Sequence, residues 1–106
     1  MDLTKFIEEP QGTAIERYFR ENIGKNPNMM VPYYLMAAYA YYVEDNPIVG
    51  DSFFDGLAKD LLKKYDEIEH RHKYLITKDM LEAGTYLGEY PSIVEGAVQS
   101  VRENIR

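Results

Sequence analysis

The sequence predicts an all-α fold, a small bundle of about four to five helices built around a helical hairpin. Apolar residues recur at helical spacing in several separate segments, and Gly, Pro and Asn residues divide those segments from one another. The only short apolar run, at residues 74–76, is too brief to seed a sheet alone. The chain has 106 residues, 45% of them hydrophobic, so we expect one domain, 1–106, with an ordinary core.

The segment 1–24 is predicted to add one helix in front of the hairpin. Thr13 and Glu16 form a capping-box pattern, in which two side chains each satisfy a backbone N–H of the first turn. We therefore expect a helix from about residue 14 to 23 that ends at Gly24. Its expected apolar face consists of Ile15, Tyr18, Phe19 and Ile23.

The central segment 30–68 is predicted to form the helical hairpin. Its first helix begins near Met30 and continues to about Glu44. Pro47 disfavours helical geometry at the residue before it, so a tight turn follows. The second helix is expected to use Asp51 as its N-cap and to extend to the end of the segment.

The segment 77–106 is predicted to add further helices behind the hairpin. Thr77 is the expected cap of a short helix that ends at Gly84. Ser92 and Glu95 form a second capping-box pattern, which predicts the start of a final helix. The expected apolar stripe of that helix consists of Ile93, Val94, Ala97, Val98, Val101 and Ile105.

Two aromatic residues and two acids near the hairpin turn form the candidate site. Tyr41 and Tyr42 end the first helix, and Asp51 and Asp55 lie four residues apart on one face of the next. Aromatic faces opposite carboxylates suit a flat, positively charged ring that carries amide and hydroxyl donors. A purely structural role is the alternative, since an acid in the first turn of a helix complements its dipole.

The hairpin resembles the N-terminal Ia subdomain of bacterial NAD-dependent DNA ligases. The shared pattern, over residues 41–57, is Tyr-x-x-x-Asp-x-Pro-x-x-x-Asp-x-x-aromatic-Asp-x-Leu. In that family the subdomain closes over the nicotinamide mononucleotide half of NAD and orients it as the leaving group, while a lysine of the ligase attacks the adenylyl phosphorus. The resemblance implies that Tyr41, Asp51 and Asp55 contact the cofactor.

Two positions depart from the family pattern. Tyr42 stands where the family has a histidine, and Phe54 stands where it has a tyrosine. Phe54 keeps a stacking face without the hydroxyl, and Tyr42 keeps aromatic area but cannot carry positive charge near the phosphate. The predicted cofactor-binding residues are therefore Tyr41, Tyr42, Asp51, Phe54 and Asp55, with no catalytic residue and no metal ligand.

The adenylation motif of the family, Lys-x-Asp-Gly, does not occur in the sequence. We therefore expect no catalysis by the chain alone, and at most a part of an NAD-dependent ligase used in DNA replication and repair. The first hypothesis is a stand-alone or derived module that binds NAD or supports a partner protein carrying an adenylation domain. The alternative is a non-enzymatic protein-protein interaction protein that has lost the cofactor. A nucleic-acid mimic, suggested only by acidity, ranks last.

Composition restricts the remaining function classes. A formal net charge of −6 argues against direct nucleic-acid binding, which usually needs a basic face. The sequence has no cysteine, signal peptide or apolar run of a membrane span's length, so we expect a cytoplasmic protein of a bacterial cell, or of a host cell if viral. His70 and His72 would point apart by about 200° on a helix, so no metal site is expected.

Overall fold

The computed structural model describes residues 10–105, and helices account for most of them. No strand occurs in this range, so the predicted all-α class is confirmed. Residues 1–9 and 106, which belong to the predicted flanking segments, lie outside the described part of the chain. The α-helices within it are α1 (Pro10–Lys25), α2 (Met30–Ala38), α3 (Asp51–Lys63), α4 (Lys78–Ala83) and α5 (Ile93–Asn104).

Helix α2 is the centre of the core. It packs against both α3 and α5, while α1 contacts α5 and α4 contacts α3. A helix that is apolar on every side is stable only when it is surrounded, and here every residue of α2 except Pro32 is buried. Within residues 10–105, no helix has both the length and the apolar composition needed to cross a lipid bilayer.

A π-helical turn, Tyr39–Val43, continues α2 towards the hairpin turn. The Glu44 N–H donates to the Tyr39 carbonyl at 3.1 Å, which is the five-residue hydrogen bond of a π-helix. The sequence predicted a helix as far as about Glu44, and the chain is helical to Val43. In the structure Tyr42 is exposed, because the π turn changes the register of the residues that follow α2.

Two predicted helix starts differ from the structure, and a third start agrees but lacks its predicted capping bond. Helix α1 begins at Pro10, so Thr13 lies inside it and is not its N-cap. Gly50, with extended backbone, is the N-cap of α3, and Asp51 is its first residue. Ser92 precedes α5 but makes no capping hydrogen bond, because its backbone already has helical dihedral angles.

Helix α3 ends at Lys63 and does not reach Ile68 as expected. A 3-10 turn follows, and there the Tyr65 hydroxyl donates to the Ile76 carbonyl at 2.5 Å. Ile68 is buried in the core, which favours a bend of the chain over a straight helix. The cap of α4 agrees with the prediction: Thr77 accepts the Met80 N–H at 3.2 Å, and the helix ends at Gly84.

Candidate functional site

All the predicted cofactor-binding residues line one pocket. The pocket has a volume of about 170 Å³ and lies between the π-helical turn and the first two turns of α3. We call it the hairpin pocket. Its lining consists of Tyr41, Tyr42, Asp51, Phe54, Asp55, Ala58 and Gly84.

Aromatic rings form one wall of the hairpin pocket. The rings of Tyr41 and Phe54 are nearly parallel, 11° apart in plane, with centroids separated by 6.1 Å. Tyr42 meets Tyr41 edge to face, with a centroid distance of 4.9 Å. A third ring inserted between Tyr41 and Phe54 would need about 7 Å, twice the usual contact distance between carbon atoms. A flat ligand therefore has to lie against the exposed faces of Tyr41 and Tyr42.

Two carboxylates form the acidic rim of the same pocket. Asp51 and Asp55 are exposed and one helical turn apart at the start of α3. Asp55 forms an ion pair with Lys59 at 3.0 Å, but both side chains are more than half exposed, so the pair contributes little stability. Among the described residues, no ion pair to Asp51 is formed. Both carboxylates can therefore accept hydrogen bonds from a ligand.

The ring of Phe54 is supported from below by Tyr34. These rings stack with centroids 5.1 Å apart and planes within 10°. Tyr34 is fully buried, and burial, more than the neighbouring tyrosines, raises the pKa of its hydroxyl far above the ordinary range. Tyr86 packs edge-on against Tyr34, at 6.1 Å. The aromatic wall is thus the outer layer of the protein core.

Sequence reasoning missed two lining residues, Ala58 and Gly84. Ala58 lies one turn after Phe54 on α3, so its place beside the pocket follows from helical spacing. Gly84 was recognised only as the end of a helix, and it adopts the left-handed conformation with φ of +73°. Nothing in the local sequence places it near Asp55, because the packing of α4 against α3 brings them together.

The pocket's size limits what it can enclose. Sites that surround a drug-sized molecule usually have volumes of about 300–1,000 Å³. At about 170 Å³ the hairpin pocket accepts a single ring with its substituents. The residues present therefore fit the nicotinamide end of a dinucleotide, while the remainder would have to extend away from the pocket.

The histidines singled out in the sequence lie elsewhere. His70 and His72 belong to the chain between α3 and α4, and not to a helix, so the expected divergence does not apply. Their ring centroids are 5.5 Å apart, and the His72 N–H donates to His70 Nδ1 at 3.1 Å. Within residues 10–105, no three His, Asp or Glu side chains are grouped so that they could hold a metal ion.

Comparison with known proteins finds one similarity, and it covers the hairpin. A family model described as DNA ligase-like, N-terminal NAD+-binding domain matches residues 33–80. No curated protein and no solved structure matches the chain. The matched segment extends from α2, through the hairpin pocket, into α4. The resemblance predicted from the motif is therefore confirmed: residues 33–80 are similar to the DNA ligase-like, N-terminal NAD+-binding domain.

Proposed function

We propose that the hairpin pocket binds the nicotinamide mononucleotide half of NAD, and that the chain supports DNA ligation as an accessory module. The observation that carries this proposal is the meeting of Tyr41, Tyr42, Asp51, Phe54 and Asp55 around one pocket within the matched segment. Bound NAD would supply the adenylyl group for ligation. A partner protein with an adenylation domain would supply the lysine nucleophile.

Each wall of the pocket has a distinct role in this proposal. The exposed faces of Tyr41 and Tyr42 stack against the pyridinium ring, whose positive charge they attract. Asp51 and Asp55 accept hydrogen bonds from the ribose hydroxyls or the carboxamide and add to that attraction. Phe54 keeps the pocket dry from below without donating a hydrogen bond.

The phosphate contributes little in this proposal. The cation on the acidic rim is Lys59, and it is paired with Asp55. Tyr42 offers a neutral hydroxyl where the family has a histidine. We therefore expect nicotinamide riboside, which lacks the phosphate, to bind about as well as nicotinamide mononucleotide. In the Tyr42→His variant, nicotinamide mononucleotide should bind more tightly than nicotinamide riboside. The difference should be largest at pH values below the ordinary histidine pKa of about 6.5, where the imidazole is positively charged.

The test is a titration of the chain with nicotinamide mononucleotide, followed by amide NMR. Asp51→Asn and Asp55→Asn should each weaken binding about ten- to a hundredfold, because a hydrogen bond to a charged acceptor contributes roughly 1.5–3 kcal/mol. Asp60→Asn is the matched control, since Asp60 lies on α3 but outside the hairpin pocket. Loss of binding in the control as well, or no shifts near Tyr41 and Asp55 at millimolar ligand, would contradict the proposal.

A second candidate function rests on exposed apolar surface beside the pocket. Tyr41, Tyr42 and Val43 are consecutive and exposed, at 41%, 41% and 55%. Consecutive exposed apolar side chains are typical of a surface that a protein partner covers. In this alternative Tyr42→Ala weakens partner capture, whereas Asp51→Asn leaves it unchanged. A capture that depends on Asp51 and competes with nicotinamide mononucleotide would instead favour the cofactor.

A further inference from the structure

The loop between the two walls of the hairpin pocket, residues 44–50, is held from outside the matched segment. On one side Glu16 of α1 accepts the Gly50 N–H at 2.8 Å. Gly50 is the N-cap of α3 and directly precedes Asp51. The Glu16 side chain is only 17% exposed, so this bond is largely shielded from water. The position of the acidic rim is thereby tied to α1.

The other end of the loop is held by Arg102 of α5. Its guanidinium donates to the Glu44 carboxylate at 2.6 Å and also donates to the Asn46 carbonyl. Both charged side chains are 19% exposed, which makes this pair the most shielded of the ion pairs among the described residues. Glu44 follows the π-helical turn that carries Tyr41 and Tyr42. The position of the aromatic wall is thereby tied to α5.

The loop itself makes one backbone hydrogen bond to the π-helical turn, from the Asn46 N–H to the Ala40 carbonyl at 2.9 Å. Asp45 adopts a φ of +52°, in the left-handed region that favours glycine. Ile48 and Val49 are buried, but the stretch 45–47 is exposed. The buried residues hold the middle of the loop. The separation between its two ends, and so between the aromatic wall and the acidic rim, also depends on two hydrogen-bonded attachments, Glu16 to Gly50 and Arg102 to Glu44 and Asn46.

We propose that Glu16 and Arg102 are positioning residues for the hairpin pocket. They lie outside residues 33–80, on the helices that flank the matched segment, and they set the distance across which a ligand is held. The inference rests on the proposed function where it concerns ligand affinity. The geometry of the loop can be measured without any ligand.

The experiment uses the full chain with Glu16→Ala and Arg102→Met. We expect each variant to weaken nicotinamide mononucleotide binding about tenfold, as loss of an outer hydrogen bond does at other sites. Glu16→Gln, which keeps an acceptor oxygen, should restore most of the affinity. Val98→Ala, a change of a fully buried residue of α5 that makes no hydrogen bond to the loop, is the control for lost stability, and it should leave the affinity unchanged.

A second readout separates this inference from the proposed function. In ligand-free protein, Glu16→Ala should speed hydrogen exchange at Gly50, and Arg102→Met should weaken the NMR cross-peaks between the Tyr41 and Phe54 rings. If wild type binds no nicotinamide mononucleotide but these changes occur, the positioning role stands and the cofactor proposal fails. If both variants bind like wild type and keep the ring cross-peaks, the positioning role is overturned. Equal weakening by Val98→Ala would also overturn it.

Discussion

Helix α3 borders a cavity on each of two sides, and the two cavities differ both in volume and in the side chains that line them. One side borders the hairpin pocket, of about 170 Å³, and the other borders a groove of about 500 Å³ between α1 and α3. We call the second the α1–α3 groove. Its lining consists of Arg20, Ile23, Gly24, Met30, Ser52, Phe53, Gly56, Leu57 and Asp60.

The larger cavity is not the better candidate. In the α1–α3 groove the Arg20 guanidinium lies 5.0 Å from the centre of the Phe53 ring and covers its face. The hairpin pocket leaves the faces of Tyr41 and Tyr42 exposed, beside two carboxylates. Volume alone would select the groove, whereas the available ring faces and paired acids select the pocket.

Alkaline pH should destabilise both sides, because each rests on a buried tyrosine. Burial raises the pKa of Tyr86, below the pocket, and of Tyr33, which stacks on Phe19 beside the groove, to about 12. Unfolded tyrosine ionises near pH 10, so stability is complete below that pH and is lost as pH rises towards 12. As the pH rises from 10 towards 12, the loss of this contribution at each tyrosine should lower the free energy of unfolding by up to about 3 kcal/mol.

Urea denaturation across this pH range measures the effect. Tyr33→Phe and Tyr86→Phe should each remove the part of the pH dependence that comes from that tyrosine. Tyr74→Phe is the control, because Tyr74 is 74% exposed. A stability that stays constant above pH 10 would contradict the prediction.

Phe54→Ala should cost more stability than Phe53→Ala. Phe54 stacks on the fully buried Tyr34, whereas Phe53 has a tilted contact with Phe19 and the covering Arg20. For these half-buried rings we expect losses of about 2–3 kcal/mol for Phe54 and about 1–2 kcal/mol for Phe53. Equal losses in urea denaturation would show that the two sides are energetically alike.

Tyr34→Phe should stabilise the protein by about 1 kcal/mol. The Tyr34 hydroxyl is buried and has no hydrogen-bond partner, so the folded protein carries its desolvation cost. Tyr65→Phe is the contrasting variant, since its hydroxyl donates to the Ile76 carbonyl, and its loss should destabilise by a similar amount. A lower thermal midpoint for Tyr34→Phe would disprove the prediction.

Alanine at two glycines should have opposite and smaller effects. Gly56, beside the groove, is inside α3, and an added Cβ would meet nothing within 4 Å, so Gly56→Ala should stabilise by about 0.5–1 kcal/mol. Gly84, beside the pocket, has φ of +73°, so Gly84→Ala should destabilise by about 1 kcal/mol. Thermal midpoints of the two variants should shift in opposite directions, and a shift in the same direction would contradict this assignment.

Local signals in the sequence predicted much of the fold. The cap at Thr77, the end of α4 at Gly84 and the hairpin turn after Glu44 depend on residues close together in the chain, and the structure contains all three. The end of α3 at Lys63 was missed, because it depends on Tyr65 and Ile68 reaching distant partners. The π-helical turn was missed as well, since its winding has no periodic signal in so short a stretch.

The sequence by itself determined the helical class, the hairpin and the two tyrosines and two acids near its turn, because helical spacing and turn chemistry act over a few residues. The resemblance to the ligase subdomain added Phe54, and all five residues border one pocket. Tertiary structure alone decided that Gly84 closes the pocket and that Glu16 and Arg102 hold its loop. The Glu16–Gly50 attachment joins residues 34 positions apart, and the Arg102–Glu44 attachment joins residues 58 positions apart. Contacts between residues so far apart in the sequence depend on how whole helices pack, and no local sequence pattern predicts that packing.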